Sequence, residues 1–221
     1  MTTILPAVEA AARLATARRT EQLFREAGAL RDGHFALKSG RHADRYLEKF
    51  QVLQYPGAVS ELCAAIAGRV RGSDGAPLVD LVAGPTTGGV ILAFEVARQL
   101  RVRGIFAEEV RDPDGAVRRE FRRGFRIAPG ERVLLVDDIL TTGGSLLAML
   151  RPIQDAQAQL LLAVVLVDRS GRTTGLVSPG GDRPYPLEAL WTLDLPTFSP
   201  GAATCAGCAA RLPLLSPGSR G

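Results

Sequence analysis

Lysine is almost absent from this basic chain, since only Lys38 and Lys49 are lysines among its 27 lysine and arginine residues. The net charge is +4 at neutral pH, and the arginines are scattered along the sequence rather than clustered. Scattered positive charge suits an anionic small molecule as well as a nucleic acid, so charge excludes neither class of ligand. Because arginine is the usual cation of this chain, a lysine within a motif, such as Lys38, indicates a specific role.

Cysteines and long apolar runs are also scarce. Three cysteines cannot form the disulfide framework of a small secreted protein, and they indicate a reducing compartment. The longest apolar run covers eight residues, 160–167, whereas a membrane-spanning helix needs about 20. The first residues lack a basic start followed by an apolar core, so we expect no secretory signal. We therefore expect a cytoplasmic protein without a membrane partner.

The remaining composition is that of one α/β domain. Hydrophobic residues make up 46% of the 221 residues and charged residues 23%, which is ordinary for a globular protein. From residue 78 onward, short apolar runs alternate with helical patterns, which predicts right-handed βαβ units and a parallel twisted sheet flanked by helices. The predicted strands are 78–83, 104–107, 132–136, 160–167 and 190–193. The predicted helices are 7–27, 59–70, 89–100 and 145–158, and residues 33–40 are predicted to be a short extended piece and turn.

Three segments lie outside this alternation. Residues 1–19 are predicted to be an N-terminal helical extension, residues 20–211 the main domain, and residues 212–221 a flexible tail. Residues 108–130 are polar and rich in arginine but contain no lysine or histidine. A loop of that length in a compact domain is usually a lid or a binding loop, so we predict a mobile hairpin or flap there.

The most informative stretch is the nine residues 137–145, which follow the apolar run 133–136. That run predicts a buried strand, so Asp137 and Asp138 should lie at the carboxyl edge of the sheet. Small residues then lead into a helix beginning near Leu146, where backbone N–H groups and the helix dipole can bind an anion. No G-K-[ST] follows, which excludes the phosphate loop of ATPases. The stretch therefore predicts a phosphorylated sugar, with its hydroxyls bound by carboxylates and its phosphate by amides.

A second loop of small residues, 84–89, follows the predicted strand 78–83. Ligands of open α/β sheets bind at the carboxyl ends of strands, so this loop should lie on the same edge as Asp137. Its amides and two threonine hydroxyls suit a pyrophosphate, although any strand-to-helix turn can contain glycine and proline. Arg169 follows the strand 160–167 on the same edge, and its planar guanidinium group can bind a carboxylate.

The histidines and two of the cysteines are weak candidates for a metal site. His34 and His42 flank Lys38 without a carboxylate cluster, so we interpret them as loop residues at the rim of the site. Cys205-x-x-Cys208 is half of a zinc pattern, and four ligands would require His34 or His42, or a second subunit. We therefore expect two free thiols and no metal bound by protein side chains.

Residues 137–145 resemble the phosphoribosyl-pyrophosphate signature of the type I phosphoribosyltransferases, and residues 84–89 are similar to that family's pyrophosphate loop. The F-x-L-x-S-G stretch at 35–40, followed by Tyr46, points to the orotate phosphoribosyltransferases within the family. The resemblance covers roughly residues 20–211. It implies the family's α/β fold, with a small hood built from the N-terminal region and the tail strand near Trp191.

The same resemblance implies an activity and its partners. The phosphoribosyl group of phosphoribosyl pyrophosphate would be transferred to orotate, giving orotidine 5′-monophosphate and pyrophosphate in pyrimidine (UMP) biosynthesis. Magnesium would be bound mainly through the pyrophosphate of the substrate. A homodimer is implied because the family's flap completes the site of the partner subunit, and no nucleic acid is involved.

The resemblance also implies roles for particular residues. Lys38 would contact the pyrophosphate-bearing sugar, Asp137 and Asp138 would hold the ribose hydroxyls, and a flap arginine would stabilise the departing pyrophosphate. Thr141 would lie near the base, and Arg169 would bind the carboxylate of orotate. The predicted catalytic residues are Lys38, Arg118, Asp137 and Asp138. The predicted substrate-binding residues are Lys38, Thr86, Thr87, Gly88, Gly89, Asp137, Asp138, Ile139, Leu140, Thr141, Thr142, Gly143, Gly144, Ser145 and Arg169.

The flap departs from the family pattern and leaves alternatives open. The best-known orotate enzymes have lysine and histidine in the flap, and arginine is a poor proton donor at neutral pH. The candidate flap cations here are Arg111, Arg118, Arg119, Arg122 and Arg123. A phosphoribosyltransferase for uracil, hypoxanthine or adenine would keep both loops, but Arg169 argues against it. A phosphoribosyl-pyrophosphate-sensing regulator would explain the flap, but no basic helix or aromatic platform for nucleic acid is visible.

Overall fold

The computed structural model describes residues 9–37, 39–113, 115, 117–171, 176–177 and 184–217. Within these residues the chain forms a six-stranded sheet and two small two-stranded sheets. The helices are α1 (Ala10–Glu26), α2 (Lys49–Leu53), α3 (Pro56–Ala67), α4 (Gly88–Leu100), α5 (Gly144–Asp155) and α6 (Ala206–Ala209). The strands are β1 (Leu30–Ala36), β2 (His42–Leu47), β3 (Leu81–Pro85), β4 (Arg103–Arg111), β5 (Val117–Glu120), β6 (Arg132–Leu140), β7 (Gln159–Asp168), β8 (Leu176–Val177), β9 (Pro184–Tyr185) and β10 (Leu187–Thr192).

The six-stranded sheet is parallel except at one edge. Its strand order is β10-β7-β6-β3-β4-β5, and β5 alone runs antiparallel to its neighbour β4. The central strands β3, β6 and β7 are buried along nearly their whole length, as expected for parallel strands covered on both faces. The predicted α/β fold with a parallel sheet flanked by helices is confirmed.

The two faces of the sheet carry separate hydrophobic cores. One core joins α1, α3 and α4 to the sheet, and the other joins α5 to the opposite face. Phe24 of α1 is fully buried in the first core, and its ring meets Trp191 of β10 edge-on, with ring centroids 5.9 Å apart. Helix α1 therefore packs on the main sheet and runs without a break across residue 19. The division at that residue stays a prediction.

The predicted strands are present, but β4 and β6 each extend four residues further than the apolar pattern indicates. Strand β6 extends to Leu140 rather than to residue 136, because its ladder with β7 continues through Asp137↔Val165 to Leu140↔Asp168. Strand β4 extends to Arg111 because β5 pairs with it in an antiparallel hairpin. The predicted flap is thus a hairpin in its first half, and its mobility stays a prediction. Alternating polar residues end an apolar run without ending a strand.

The hairpin of β1 and β2 is an element that the sequence analysis described only as an extended piece and turn. His34 lies in β1 and His42 in β2, and both are buried, so their interpretation as loop residues is wrong. The chain end packs on this hairpin, since Leu215 N–H donates to His34 O and Leu215 O accepts from Ala36 N–H, each at 2.8 Å. Leu215 lies within the predicted flexible tail, of which residues 218–221 are outside the described residues.

None of the described helices is both long enough and apolar enough to cross a membrane.

Candidate functional site

A polar cavity of about 370 Å³ lies at the carboxyl edge of β3, β6 and β7. Parallel strands bring the loops that follow them to one edge of the sheet, which is why residues distant in sequence meet here. The β1–β2 hairpin contributes the opposite wall through the end of β2 and the start of α2. The cavity is lined by Leu47, Glu48, Lys49, Thr86, Thr87, Asp137, Asp138, Ile139, Thr141, Ser145 and Arg169.

The two adjacent aspartates are buried at the end of β6. Asp137 is 7% exposed and Asp138 is 2% exposed. Asp137 Oδ1 accepts a hydrogen bond from the N–H of Asp138 at 2.9 Å, and Asp138 Oδ1 accepts one from the N–H of Ile139 at 2.7 Å. These hydrogen bonds hold both carboxylates against the backbone of β6, so the end of the strand orients the two side chains at the cavity.

Burial changes the ionisation of Asp137. Loss of solvation, and to a smaller extent the neighbouring charge of Asp138, raises the pKa of the Asp137 carboxyl to about 7. Lys49 and Arg119 oppose that increase in pKa without cancelling it. Asp137 is thus partly protonated near neutral pH and can donate or accept a hydrogen bond from a ligand hydroxyl.

Asp137→Asn is expected to raise the melting temperature of the ligand-free protein more at pH 8 than at pH 5. An unfolded aspartate has a pKa near 3.9, so between about pH 4 and pH 7 the folded state binds more protons, and the free energy of unfolding falls as pH rises. Above pH 7 the ionised carboxylate costs about 2–4 kcal/mol, or roughly 5–10 °C, which the neutral amide avoids. Thermal unfolding monitored at both pH values measures this difference.

Asp155→Asn is the matched control, because Asp155 on α5 has a side chain that is 72% exposed. We expect its melting temperature to follow that of the wild type at both pH values. A gain for Asp137→Asn that is equal at pH 5 and pH 8 would contradict the raised pKa of Asp137.

Lys49 lines the cavity, although no sequence motif indicates a role for it. It is the first residue of α2, directly after the hairpin, and its Nζ lies 2.9 Å from Asp138 Oδ1 and 2.8 Å from Asp138 Oδ2. Because this ion pair is largely buried, it compensates the charge of Asp138 inside the cavity. The signal in the sequence was the rarity of lysine, which applies to Lys49 as much as to Lys38. Lys38 itself lies outside the described residues.

The loop between β3 and α4 packs against the acid pair, and its glycines are required by that contact. A Cβ on Gly88 would lie 1.7 Å from Asp138 Oδ2, and a Cβ on Gly84 would lie 2.3 Å from Gly89 O. Thr86 and Thr87 line the cavity and are joined by a cis peptide bond. The structure thus places the threonines at the predicted anion loop, and it places Gly88 and Gly89 beneath them as packing residues.

The loop between β6 and α5 forms the third wall. Thr141 and Ser145 line the cavity, and Gly143 adopts a φ of +83° that allows the chain to turn into α5. The N–H groups of the first turn of a helix have no partners within the helix, so they can bind an anion here. The side chain of Leu140 is buried in the core on one face of the sheet, and its predicted part in substrate binding stays a prediction. Thr142, Gly143 and Gly144 connect Thr141 to Ser145 and are not among the residues that line the cavity.

Arg169 closes the cavity at the end of β7. Its N–H donates to Leu140 O at 2.8 Å, which fixes its backbone against β6. Its Nε is buried, and among the described residues it has no hydrogen-bond partner. Burial lowers the pKa of Arg169, while the nearby Tyr46 raises it. A half-buried guanidinium group whose buried Nε–H has no acceptor is a favourable site for a carboxylate or another anion.

The flap brings Arg119, rather than the predicted Arg118, to the cavity loop. Arg119 Nη1 donates to Thr86 Oγ1 at 2.9 Å and to Thr86 O at 3.3 Å, and its side chain is 7% exposed. Arg118 points the other way and pairs with Asp112 and Glu120. The physical reason is the alternation of side chains along β5, which sends neighbouring residues to opposite sides.

The chain matches the family model described as the phosphoribosyl transferase domain over residues 52–175. The orotate phosphoribosyltransferase of Caldicellulosiruptor bescii is 40% identical over 90% of this chain and 95% of that protein. The orotate phosphoribosyltransferase of Acidithiobacillus ferrooxidans is 41% identical over 93% of this chain and 98% of that protein.

Solved structures agree with these sequence relatives. The crystal structure of orotate phosphoribosyltransferase from Aeropyrum pernix superposes with a TM-score of 0.60 at 26% identity, over 78% of this chain and 92% of that one. Adenine phosphoribosyltransferase from Trypanosoma brucei, solved with AMP, pyrophosphate and ribose-5-phosphate, has a TM-score of 0.60 at 15% identity, over 79% of each chain. The second likeness shows a shared fold.

Proposed function

Because the chain belongs to the phosphoribosyltransferase family, and to the orotate phosphoribosyltransferases within it, we propose that it transfers a phosphoribosyl group to orotate. The donor is phosphoribosyl pyrophosphate, and the products are orotidine 5′-monophosphate and pyrophosphate. This reaction belongs to the synthesis of UMP, and we assign the protein to the cytoplasm.

The observation that carries the proposal is the position of Arg169. Its guanidinium group, with a buried Nε that has no partner among the described residues, borders the same cavity as the acid pair. Orotate has a carboxylate that uracil, hypoxanthine and adenine lack, and the planar fork of arginine fits a carboxylate in two hydrogen bonds. An arginine at this place therefore favours orotate over the other bases.

The remaining residues suit the two ends of the sugar phosphate. The first turn of α5 and the hydroxyls of Thr141 and Ser145 would bind the 5′-phosphate, while Thr86 and Thr87 would bind the pyrophosphate. Asp137 and Asp138 would hold the ribose hydroxyls between them. Binding energy from the distant phosphate would thus orient the sugar carbon that reacts.

Catalysis would follow from charges that the residues already present. As the bond from the sugar carbon to pyrophosphate lengthens, positive charge grows on the ribose and negative charge grows on the leaving group. The buried carboxylate of Asp138, together with Asp137 in its ionised form, would stabilise the positive charge on the ribose, and Arg119 at the Thr86 loop would stabilise the negative charge on the pyrophosphate. Interactions that strengthen in the transition state raise kcat rather than ground-state binding.

Magnesium fits this cavity through the substrate rather than through the protein. Asp138 is already paired with Lys49, so the carboxylates of the described cavity offer no dedicated cage of oxygen ligands for a hard cation. A magnesium ion bound to the pyrophosphate would supply charge neutralisation at the leaving group. This arrangement is part of the proposal.

The direct test is the loss of orotate absorbance with purified protein, magnesium and phosphoribosyl pyrophosphate. We expect turnover with orotate and much slower turnover with uracil, hypoxanthine and adenine in parallel reactions. Equal turnover of another base would move the assignment to a different phosphoribosyltransferase. Tight binding of phosphoribosyl pyrophosphate without turnover of any base would favour the alternative function, a regulator that senses phosphoribosyl pyrophosphate.

Arg119→Ala is expected to lower kcat by about 10- to 100-fold, because it removes a charge beside the departing pyrophosphate. Arg118→Ala is the matched control on the same strand, and its effect should stay within about twofold, since exposed ion pairs contribute little. Steady-state kinetics with saturating substrates measures both. A larger loss for Arg118→Ala would restore Arg118 as the catalytic cation of the flap.

Gly88→Ala is expected to lower kcat/KM by about 10²-fold, because the new Cβ would lie 1.7 Å from Asp138 Oδ2 and must displace that carboxylate. Gly57→Ala in α3 is the control, since its added Cβ meets nothing within 4 Å. Steady-state kinetics of the two variants measures the effect, at a temperature at which thermal unfolding shows both variants to be folded. Wild-type kinetics for Gly88→Ala would contradict the position of Asp138 in the site.

A homodimer is the proposed assembly. Neighbouring helices α2 and α4 expose large apolar side chains, among them Phe50 at 43% and Phe94 at 70% exposure, and apolar surface of this kind is typical of an interface. Sedimentation equilibrium should give twice the mass of one chain, and the mass of a single chain would contradict the proposal.

A further inference from the structure

Four side chains that can bind a metal meet between the hairpin and the C-terminal segment. They are His34 of β1, His42 of β2, Cys205 just before α6, and Cys208 within α6. One ligand atom from each lies within 4.8 Å of all the others. Cys205 is separated from His34 by 171 residues in sequence, and no disulfide joins the two thiols in the described part of the chain.

The distances within this cluster are those of a tetrahedral centre. His34 Nε2 lies 3.4 Å from Cys205 Sγ and 3.6 Å from Cys208 Sγ, and His42 Nδ1 lies 3.3 Å from Cys208 Sγ. Zinc bonds of about 2.3 Å to sulfur and about 2.0–2.1 Å to nitrogen, at tetrahedral angles, place nitrogen and sulfur about 3.5 Å apart. The two ring nitrogens are closer, at 2.8 Å, and a small rotation of one ring would separate them.

The surroundings of His34 direct its lone pair into the cluster. Its Nδ1 lies 3.1 Å from Leu212 O, and a carbonyl oxygen can only accept, so Nδ1 carries the proton and donates it. Nε2 then has its lone pair facing the two sulfurs and His42. Metal-binding histidines characteristically donate their second N–H to a carbonyl or carboxylate in this manner.

The residue between the two cysteines also fits the cluster. A Cβ on Gly207 would lie 2.5 Å from His34 Cγ and 2.6 Å from Cδ2, so only glycine allows the ring to approach the cysteine loop this closely. His34, His42 and Cys205 are each less than 8% exposed. The site is therefore closed by protein and has four protein donors.

We propose that His34, His42, Cys205 and Cys208 bind one structural Zn²⁺ ion in each chain. Two thiolates and two imidazoles form the donor set that zinc prefers, whereas magnesium prefers oxygen. A buried site with four protein ligands is structural rather than catalytic, because it leaves no position for substrate. The expectation of two free thiols and no protein metal site is thereby replaced, and the zinc site does not depend on the proposed activity.

The metal would fix the hairpin to the rest of the chain. A two-stranded hairpin alone is marginally stable, and here it is held by the paired backbones of His42 and Phe198 and by Leu215 on β1. The strand β2 leads directly into Glu48 and Lys49 at the cavity. A zinc ion that links the hairpin to the cysteine loop would therefore also position Lys49 against Asp138.

Metal analysis of the full chain, purified without added metal or chelator, tests the proposal. We expect about one equivalent of zinc per chain in the wild type and in Cys63→Ala, which removes the buried thiol of α3 outside the cluster. Cys205→Ser and Cys208→Ser should contain little zinc and should melt at lower temperature. Iron in place of zinc, or zinc retained in the double cysteine variant, would overturn the assignment.

Two measurements on the wild type keep the test decisive if the cysteine variants fail to fold. Titration of the zinc-free protein with Co²⁺ should give the visible absorption of tetrahedral cobalt together with thiolate charge-transfer bands. A thiol reagent should release zinc in step with modification of two cysteines. Absence of both metal binding and zinc release would show that the four side chains form only a hydrogen-bonded cluster.

Discussion

Arg169→Ala is expected to lower kcat/KM for orotate by about 10²- to 10³-fold, mainly by raising the KM for orotate. Under the proposed function the variant would lose two charge-assisted hydrogen bonds to the substrate carboxylate, which together correspond to about 3–4 kcal/mol. The KM for phosphoribosyl pyrophosphate should change little, because the proposed function assigns the sugar phosphate to the loops after β3 and β6. Steady-state kinetics with each substrate varied in turn separates the two effects.

Two variants control for effects other than recognition. Arg151→Ala removes an arginine of α5 whose side chain is 87% exposed, and its kinetics should match the wild type. Arg169→Lys keeps the charge but loses the planar fork, so its KM for orotate should be intermediate. If Arg169→Ala raises both KM values equally, or leaves the preference for orotate over uracil unchanged, Arg169 does not recognise the base.

Asp138→Asn is expected to lower kcat by about 10²- to 10³-fold while raising KM far less. The amide can still bond to a ribose hydroxyl, so binding of the ground state survives, but the negative charge that stabilises the transition state is lost. Saturation kinetics on both substrates distinguishes kcat from KM. If only KM changed, Asp138 would bind the ribose without stabilising charge.

Lys49 provides the internal control for this prediction. Asp138→Asn leaves the Lys49 ammonium group, formerly 2.8 Å from Asp138 Oδ2, without its counter-charge in the cavity. The double variant Lys49→Gln with Asp138→Asn removes that imbalance. A kcat that stays low in the double variant supports the role of Asp138, and recovery towards the wild type would show that the uncompensated lysine caused the loss.

Much of the candidate site is local in sequence, which is why it could be predicted. Asp137, Thr141 and Ser145 belong to one consecutive strand, loop and helix. A unit of this kind has a similar backbone conformation wherever it occurs. Arg169 was predictable in the same way, because the carboxyl ends of parallel strands share an edge. Leu140 belongs to the same stretch, but its side chain is buried in the core because β6 extends further than its apolar run, so its part in binding stays a prediction.

The flap shows why the sequence alone could not identify which flap arginine lies at the site. Five arginines were equivalent by composition and position. The antiparallel register Glu109↔Arg119 places Arg119 towards the Thr86 loop and Arg118 away from it. Register depends on the pairing of two strands, so one strand read alone cannot supply it.

By itself, the sequence determined the α/β fold and indicated that the two loops of small residues and Arg169 lie at one edge of the sheet, because strand periodicity and small-residue loops act over a few neighbouring residues. The tertiary structure alone decided which distant residues meet. It paired Lys49 with Asp138 across 89 residues, and it joined two buried histidines of a hairpin to the cysteines near the end of the chain. Such contacts depend on strand register and on the packing of whole elements, and no local pattern encodes either.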